Sequence, residues 1–291
     1  MSQGKKQYKG KILFLHGYTQ SASLFYAKTS ALRKKLIKLG YKSVYLNGPY
    51  VLTPAQLPST DSLSKFSSAA NEDMKYRAWW VKRDSTNDRI SLEESIESIR
   101  NYIDKGEIIA DSDDVDESDA ESEEEKKLPI VGIIGFSQGA ALGGLVAHKF
   151  DEIFKVDPLK FVILYSGFKL NTTKKSGNDR YDHYYPEEQD VERINLKYLH
   201  IYGELDTVVE ESRALSLYEL TKRRSDLLRH PGGHFVPNSK LYIDQVTNWI
   251  HKVEQEDKEE DKEKNEVKNG EDKDKHDLAT LMDMMDSFGT I

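Results

Sequence analysis

The pentapeptide Gly135-Phe136-Ser137-Gln138-Gly139 lies between an apolar run, Ile130 to Ile134, and a stretch of small residues, Ala140 to Ala147. That order reads as a strand, a very sharp turn and a helix, with Ser137 at the apex. A turn so tight strains its central residue and leaves no room for a Cβ two positions to either side, so Gly135 and Gly139 are the residues it needs. Alone the signature is weak: at ordinary glycine and serine frequencies a chain of this length contains it by chance about one time in ten. What such a turn demands of the rest of the chain is what decides.

A serine hydroxyl is a poor nucleophile at neutral pH and needs a base, and the base needs a group to orient it. In strand–turn–helix hydrolases these follow the serine in the order acid, then histidine, in loops at the carboxyl ends of later strands. The strand Leu199 to Tyr202 runs into Gly203-Glu204-Leu205-Asp206, and the strand Leu227 to His230 into Pro231-Gly232-Gly233-His234. Asp206 is the candidate acid, with helix N-capping as its competing role, and His234 is the candidate base. His230, at the strand end, competes for the base role; Asp182, Asp190 and Glu204 compete for the acid. The oxyanion of an acyl-transfer intermediate needs two donors. The backbone N–H of Gln138, at a helix start, is one, since dipole and unspent donors there favour negative charge. The other is expected in the turn His16-Gly17-Tyr18-Thr19-Gln20, on the Tyr18 N–H with Thr19 as the alternative. His16 is expected to brace that turn.

Around this constellation the chain alternates strands and helices. Ile12 to Leu15 is a short apolar run of the kind buried on both faces of a parallel sheet. Leu24 to Leu39 has helical spacing, with Leu32, Leu36 and Leu39 as its buried stripe, and Ser43 to Leu46 is a strand. Ile90 to Ile103 is a helix with Ser91 and Glu94 as a capping box. Phe161 to Tyr165 is a strand, Glu210 to Thr221 a helix, and Ser239 to Val253 a closing helix. The alternation predicts one doubly wound, mostly parallel α/β domain over residues 1–252.

The hydrophobic share, 37%, is low for a chain folded throughout. Two segments account for it. Asp111 to Lys127 holds ten acidic residues against two lysines, net -8, and Val253 to Lys275 holds eleven against six, net -5; the whole chain is -8, so the remainder is +5. The acidity belongs to appendages, and the body carries no charge extreme that argues for nucleic acid or an anionic membrane. The insertion 110–127 and the tail 253–291 are expected to be disordered. Ser118 and Ser122 each precede an acidic residue by three positions and are candidate acceptors for acidophilic phosphorylation. Leu278, Leu281, Met282 and Met285 form a short apolar stripe at the end of the tail, a candidate contact for a protein partner. Cysteine is absent, which removes disulfides, thiolate zinc sites and a cysteine nucleophile. With no signal-peptide core and no apolar run of membrane-spanning length, the expected setting is the cytoplasm, with the nucleus as a second compartment.

Four ordered blocks carry a resemblance. Leu13-Phe14-Leu15-His16-Gly17-Tyr18-Thr19-Gln20, Arg77-Ala78-Trp79-Trp80, Gly135-Phe136-Ser137-Gln138-Gly139-Ala140-Ala141-Leu142 and His230-Pro231-Gly232-Gly233-His234-Phe235-Val236-Pro237 resemble the signature blocks of the fungal FSH family of serine hydrolases. That resemblance implies an α/β-hydrolase fold, no metal or other cofactor, and carboxylesterase-type activity on a small-molecule acyl ester, with Ser137, Asp206 and His234 as the triad. The acidic insertion and charged tail depart from the family's core pattern. The acyl pocket is expected from loops around Tyr18, Trp79, Trp80 and the excursion that starts at Phe168. Acyl-protein thioesterases are similar in the Gly-Phe-Ser-Gln-Gly elbow but differ in the block after the first strand. A non-catalytic interaction protein on a hydrolase fold is the reading of a different class, and an intact Ser137, Asp206 and His234 argues against it.

Overall fold

A computed structural model of the chain describes residues 8–57, 75–82, 88–110, 121–260 and 262. Six strands form one parallel sheet: β1 (Gly10–Leu15), β2 (Tyr41–Leu46), β5 (Ile130–Phe136), β6 (Phe161–Tyr165), β7 (Lys197–Gly203) and β8 (Ser225–His230), in the spatial order β2-β1-β5-β6-β7-β8. The chain starts at β1, steps outward to β2, returns to place β5 on the other side of β1, and then steps outward again. Right-handed crossovers running in opposite directions put their helices on opposite faces, so the sheet is doubly wound. Ligands of such sheets bind where the direction reverses, beyond the carboxyl ends of the strands. Here that point lies between β1 and β5, where Leu15 pairs with Gly135.

β1, β5 and β6 are buried along their whole length, which is why they read as unbroken apolar runs. The expected helix from Leu24 to Leu39 is two helices, α1 (Ala22–Lys28) and α2 (Ser30–Lys38). They part at Thr29, whose hydroxyl bonds to Phe25 O at 2.7 Å and to the Tyr45 hydroxyl at 2.7 Å. Two short strands, β3 (Tyr50–Val51) and β4 (Arg77–Ala78), pair antiparallel beside the sheet. Helix α3 (Glu93–Lys105) buries Ile96 and Ile99, but the capping box expected at Ser91 does not form: Leu92 is the N-cap, and the Ser91 hydroxyl donates to Glu93.

The acidic insertion, expected to be disordered, is ordered over its described end. Its residues 111–120, Ser118 among them, lie outside the described residues, but Glu123–Lys126 forms a helical turn, α4, whose N-cap Ser122 makes a reciprocal capping box with Glu125. Two lysines of the sheet hold it. Lys42 pairs with Glu125 at 2.9 Å and Glu121 at 3.7 Å. Lys11, 5% exposed, donates to Lys126 O at 3.0 Å, and Tyr102 of α3 donates to Glu121 at 3.0 Å. Two further helices, α5 (Gln138–Val146) and α6 (Phe150–Phe154), follow β5, and α7 (Glu211–Thr221) joins β7 to β8.

The chain forms two compact units, Met1–Gln245 and Val246–Ile291. A helix over residues 240–260, α8, begins in the first and supplies the described part of the second, so the domain end expected at 252 falls within a helix. The apolar stripe from Leu278 to Met285 lies outside the described residues. Among the described residues no helix is long and apolar enough to cross a membrane.

Candidate active site

β5 delivers Ser137 to the switch point. The residue sits at φ 52, ψ -114, a conformation costly for any residue with a Cβ. Its N–H extends the ladder of the sheet by donating to Tyr165 O at 2.8 Å. The flanking glycines are there for space: a Cβ on Gly139 would lie 2.2 Å from Leu15 O, and one on Gly135 2.6 Å from the Ala140 Cα. The elbow helix therefore rests directly on the end of β1, which brings the turn after β1 beside Ser137.

In that turn three N–H groups are engaged. Gly17 N–H donates to Gln20 Oε1 at 3.1 Å, Thr19 N–H to Arg77 O at 3.0 Å and Gln20 N–H to Gly17 O at 3.3 Å. Only the Tyr18 N–H has no acceptor among the described residues. Thr19, the alternative donor, is thus engaged by β4, while the Gln138 N–H at the first position of α5 is also without an acceptor. His16 is fully buried; its Nε2 accepts from Gly48 N–H at 2.9 Å, so Nδ1 carries the proton donated to Gly17 O at 2.7 Å. Both ring nitrogens are spent inside the scaffold, as expected of a brace.

Asp206 lies in the turn after β7. It is not the N-cap of α7, which is Glu210. Its Oδ1 accepts from the Val208 and Val209 amides, both at 2.9 Å, and its Oδ2 accepts from His234 Nδ1 at 2.7 Å and from Ser166 Oγ at 2.8 Å. Burial alone would raise this carboxyl; the hydrogen bonds from His234, the Val209 amide and Ser166 outweigh it and hold the group down to about 2. An ionised carboxylate only accepts, so His234 Nδ1 is the protonated nitrogen and Nε2 is the acceptor. That Nε2 lies 2.9 Å from Ser137 Oγ, and the imidazole packs on the Phe136 ring at 4.8 Å. A continuous hydrogen-bonded chain results, Ser137 Oγ–H to His234 and His234 Nδ1–H to Asp206, able to draw a proton from the serine as it attacks.

The competing residues are elsewhere. His230 is buried and accepts from Gly232 N–H at 3.2 Å, Asp182 accepts from Thr172 at 2.5 Å, the Asp190 N–H donates to Glu187 O at 2.9 Å, and Glu204 is exposed. Of the aromatic residues expected in the acyl pocket, Trp79 requires a correction. Trp79 is fully buried, its indole donating to His16 O at 2.8 Å, so it supports the donor turn and cannot line an open pocket. Trp80 is 7% exposed and meets the ring of half-buried Phe168 edge-on at 6.4 Å. The Gln138 side chain ties the elbow to this segment, accepting from Trp79 N–H at 2.7 Å and donating to Trp80 O at 2.8 Å. A cavity of about 220 Å³ opens at His234 and is lined by Phe25, Lys28, Phe136, Phe235 and Val236 among others. A larger hollow of about 640 Å³, bounded by Pro49, Glu93, Glu97 and Ile108, contains none of the residues of the hydrogen-bonded chain. Ser166 had no sequence signal beyond a small polar residue at the end of an apolar strand.

Residues 3–246 match the protein-family model described as serine hydrolase (FSH1). The chain is 34% identical over 297 residues to Family of serine hydrolases 3 of Saccharomyces cerevisiae, covering 97% of this chain and 99% of that one. It is 32% identical over 259 residues to Esterase OVCA2 of Danio rerio, covering 84% and 97%. Among solved structures, the Bacillus cereus carboxylesterase superposes with a TM-score of 0.51 at 12% identity, covering 84% of this chain and 89% of that one, a likeness of fold.

Proposed function

Because the chain belongs to the serine hydrolase (FSH1) family, whose relatives include a named esterase, we propose that it cleaves small-molecule acyl esters through an acyl-enzyme on Ser137. The observation that carries this reading is the chain of two hydrogen bonds, 2.9 Å and 2.7 Å, from Ser137 through His234 to Asp206. Ser137 Oγ attacks the ester carbonyl carbon while His234 Nε2 takes its proton, and Asp206 holds the imidazole in the required tautomer and stabilises the imidazolium. The carbonyl oxygen becomes an oxyanion facing the Tyr18 and Gln138 N–H groups, with the dipole of α5 adding to the second. Collapse expels the alcohol, which leaves with the proton from His234. Water, deprotonated by the same nitrogen, then attacks the acyl-serine and releases the acid.

Turnover of a matched series of acyl esters and acyl thioesters, by wild type and by Ser137→Ala and His234→Ala, tests this. Each substitution is expected to lower kcat by about a million-fold, the loss seen when a nucleophile or base is removed from a serine hydrolase. Esters are expected to be turned over at least as fast as thioesters of equal chain length. A strong thioester preference would replace the ester reading, and full activity in Ser137→Ala would refute the mechanism.

A further inference from the structure

Ser166 follows the last residue of β6, as Ser137 follows the last residue of β5, and the two strands pair with Phe136 opposite Tyr165. The two serines therefore end adjacent strands side by side. Both have positive φ, 52 for Ser137 and 47 for Ser166, and both amides continue the sheet, Ser166 N–H donating to Ile201 O at 2.7 Å. At Ser137 the strain presents a nucleophile. At Ser166, which is 1% exposed, nothing in the proposed reaction requires it, and glycine would occupy this backbone at lower cost. The hydroxyl accounts for the choice: it donates to Asp206 Oδ2, the oxygen that also holds His234.

We infer that Ser166 is a positioning residue for the hydrolytic reaction, fixing the Asp206 carboxylate in plane and sharing its charge so that His234 is held in one orientation and remains free to accept the proton of Ser137. The carboxylate has about four lone-pair sites, and four donors fill them: the Val208 and Val209 amides on Oδ1, His234 and Ser166 on Oδ2. Deleting one donor leaves Oδ2 bound to His234 alone. The carboxylate then has one tie fewer against turning, and the charge on Oδ2, no longer shared with a hydroxyl, favours the imidazolium. Other charged or titratable groups face this pair. His230 on β8 is buried, with its imidazole held below the ordinary range by burial against the pull of Asp206 and Glu204. Glu204 lies in the same turn as Asp206, and Lys28 of α1 shares the cavity at His234. The Tyr165 phenol, next to Ser166 in sequence, stays neutral because burial pushes it up.

This inference rests on the proposed roles of Ser137, His234 and Asp206. The test uses the full chain as Ser166→Ala, Ser166→Gly and Ser137→Ala, with an activated acyl ester as substrate and kcat, KM, thermal midpoint and the pH profile of kcat/KM as readouts. Loss of a hydrogen bond to a charged group predicts a fall in kcat of about ten- to hundredfold, with KM changed by less than about threefold. Both Ser166 variants should shift the acid limb of kcat/KM to higher pH, since the imidazolium is stabilised. Ser166→Gly, relieved of strain, should melt no lower than Ser166→Ala and still lose activity to the same degree. A merely structural serine would leave the acid limb in place and make activity follow the melting temperature. An unmoved acid limb, or kcat within about twofold of wild type in Ser166→Gly, overturns the inference. If either of those results comes with an inactive Ser137→Ala, the positioning role alone has failed; if Ser137→Ala is active, the underlying mechanism has failed and this inference with it.

Discussion

At the scale of single residues the site depends on atoms that are missing as much as on those present. Gly139 has to lack a Cβ because Leu15 O occupies the place where one would be, 2.2 Å away, with His16 O at 2.4 Å. Both obstacles are backbone at the end of a fully buried strand and cannot swing aside. Gly139→Ala is therefore expected to destabilise the protein by about 3 kcal/mol and to lower its melting temperature by about 10 °C, measured by calorimetry; a melting temperature unchanged within 2 °C would contradict the close packing of elbow on strand. Much at this scale could be read in advance. Ser137, Asp206 and His234 occur in the chain order that a nucleophile elbow's partners follow, and their glycine-bearing turns are local. Ser166 was not legible, because its partner lies 40 residues away in sequence and depends on the pairing of β6 with β7. Trp79 was misplaced for a related reason: an aromatic residue beside a loop reads the same whether it faces a pocket or, as here, props a turn through its indole N–H.

At the scale of elements, the carboxyl ends of β1, β5, β7 and β8 each contribute one turn to the site, and β6 contributes Ser166. The described end of the acidic insertion is ordered. Its composition argues against order, yet Glu121 and Glu125 meet two lysines on strands that are far away in sequence, Lys11 on β1 and Lys42 on β2. No count of charges within the insertion could have revealed those partners. A local signal did exist, since Ser122 and Glu125 have capping-box spacing, and that box is formed. Burial lowers the Lys11 ammonium from its ordinary range, with the nearby Glu121 opposing the shift, so the docked segment helps to keep a desolvated cation charged. Lys42→Ala should release α4. Amide hydrogen exchange over residues 121–128 is expected to rise by at least tenfold in the variant, corresponding to a loss of about 1.4 kcal/mol or more from two partly buried pairs, while ester turnover stays unchanged. Exchange equal to that of wild type would show that Lys42 does not hold the segment.

At the scale of the whole molecule, the described strands reverse their winding direction between β1 and β5, where β5 ends just before Ser137 and β1 runs into the turn that carries Tyr18. Alternation of strand and helix patterns was enough to predict a doubly wound sheet, because the central strands are buried on both faces and read as apolar runs. The break at Thr29 and the course of α8 past residue 252 were not, since both are set by side-chain contacts and helix continuation that apolar spacing does not encode. The family match over residues 3–246 spans the whole sheet. The proposed mechanism treats the folded chain as one reacting unit in which a single serine, Ser137, is activated. Treating the intact protein with a fluorophosphonate and mapping the adduct by mass spectrometry tests that claim most directly. One phosphonyl group per chain is expected, located on Ser137 and absent from Ser137→Ala. Folded wild-type protein that takes up no label, or takes it up at another serine, would contradict it.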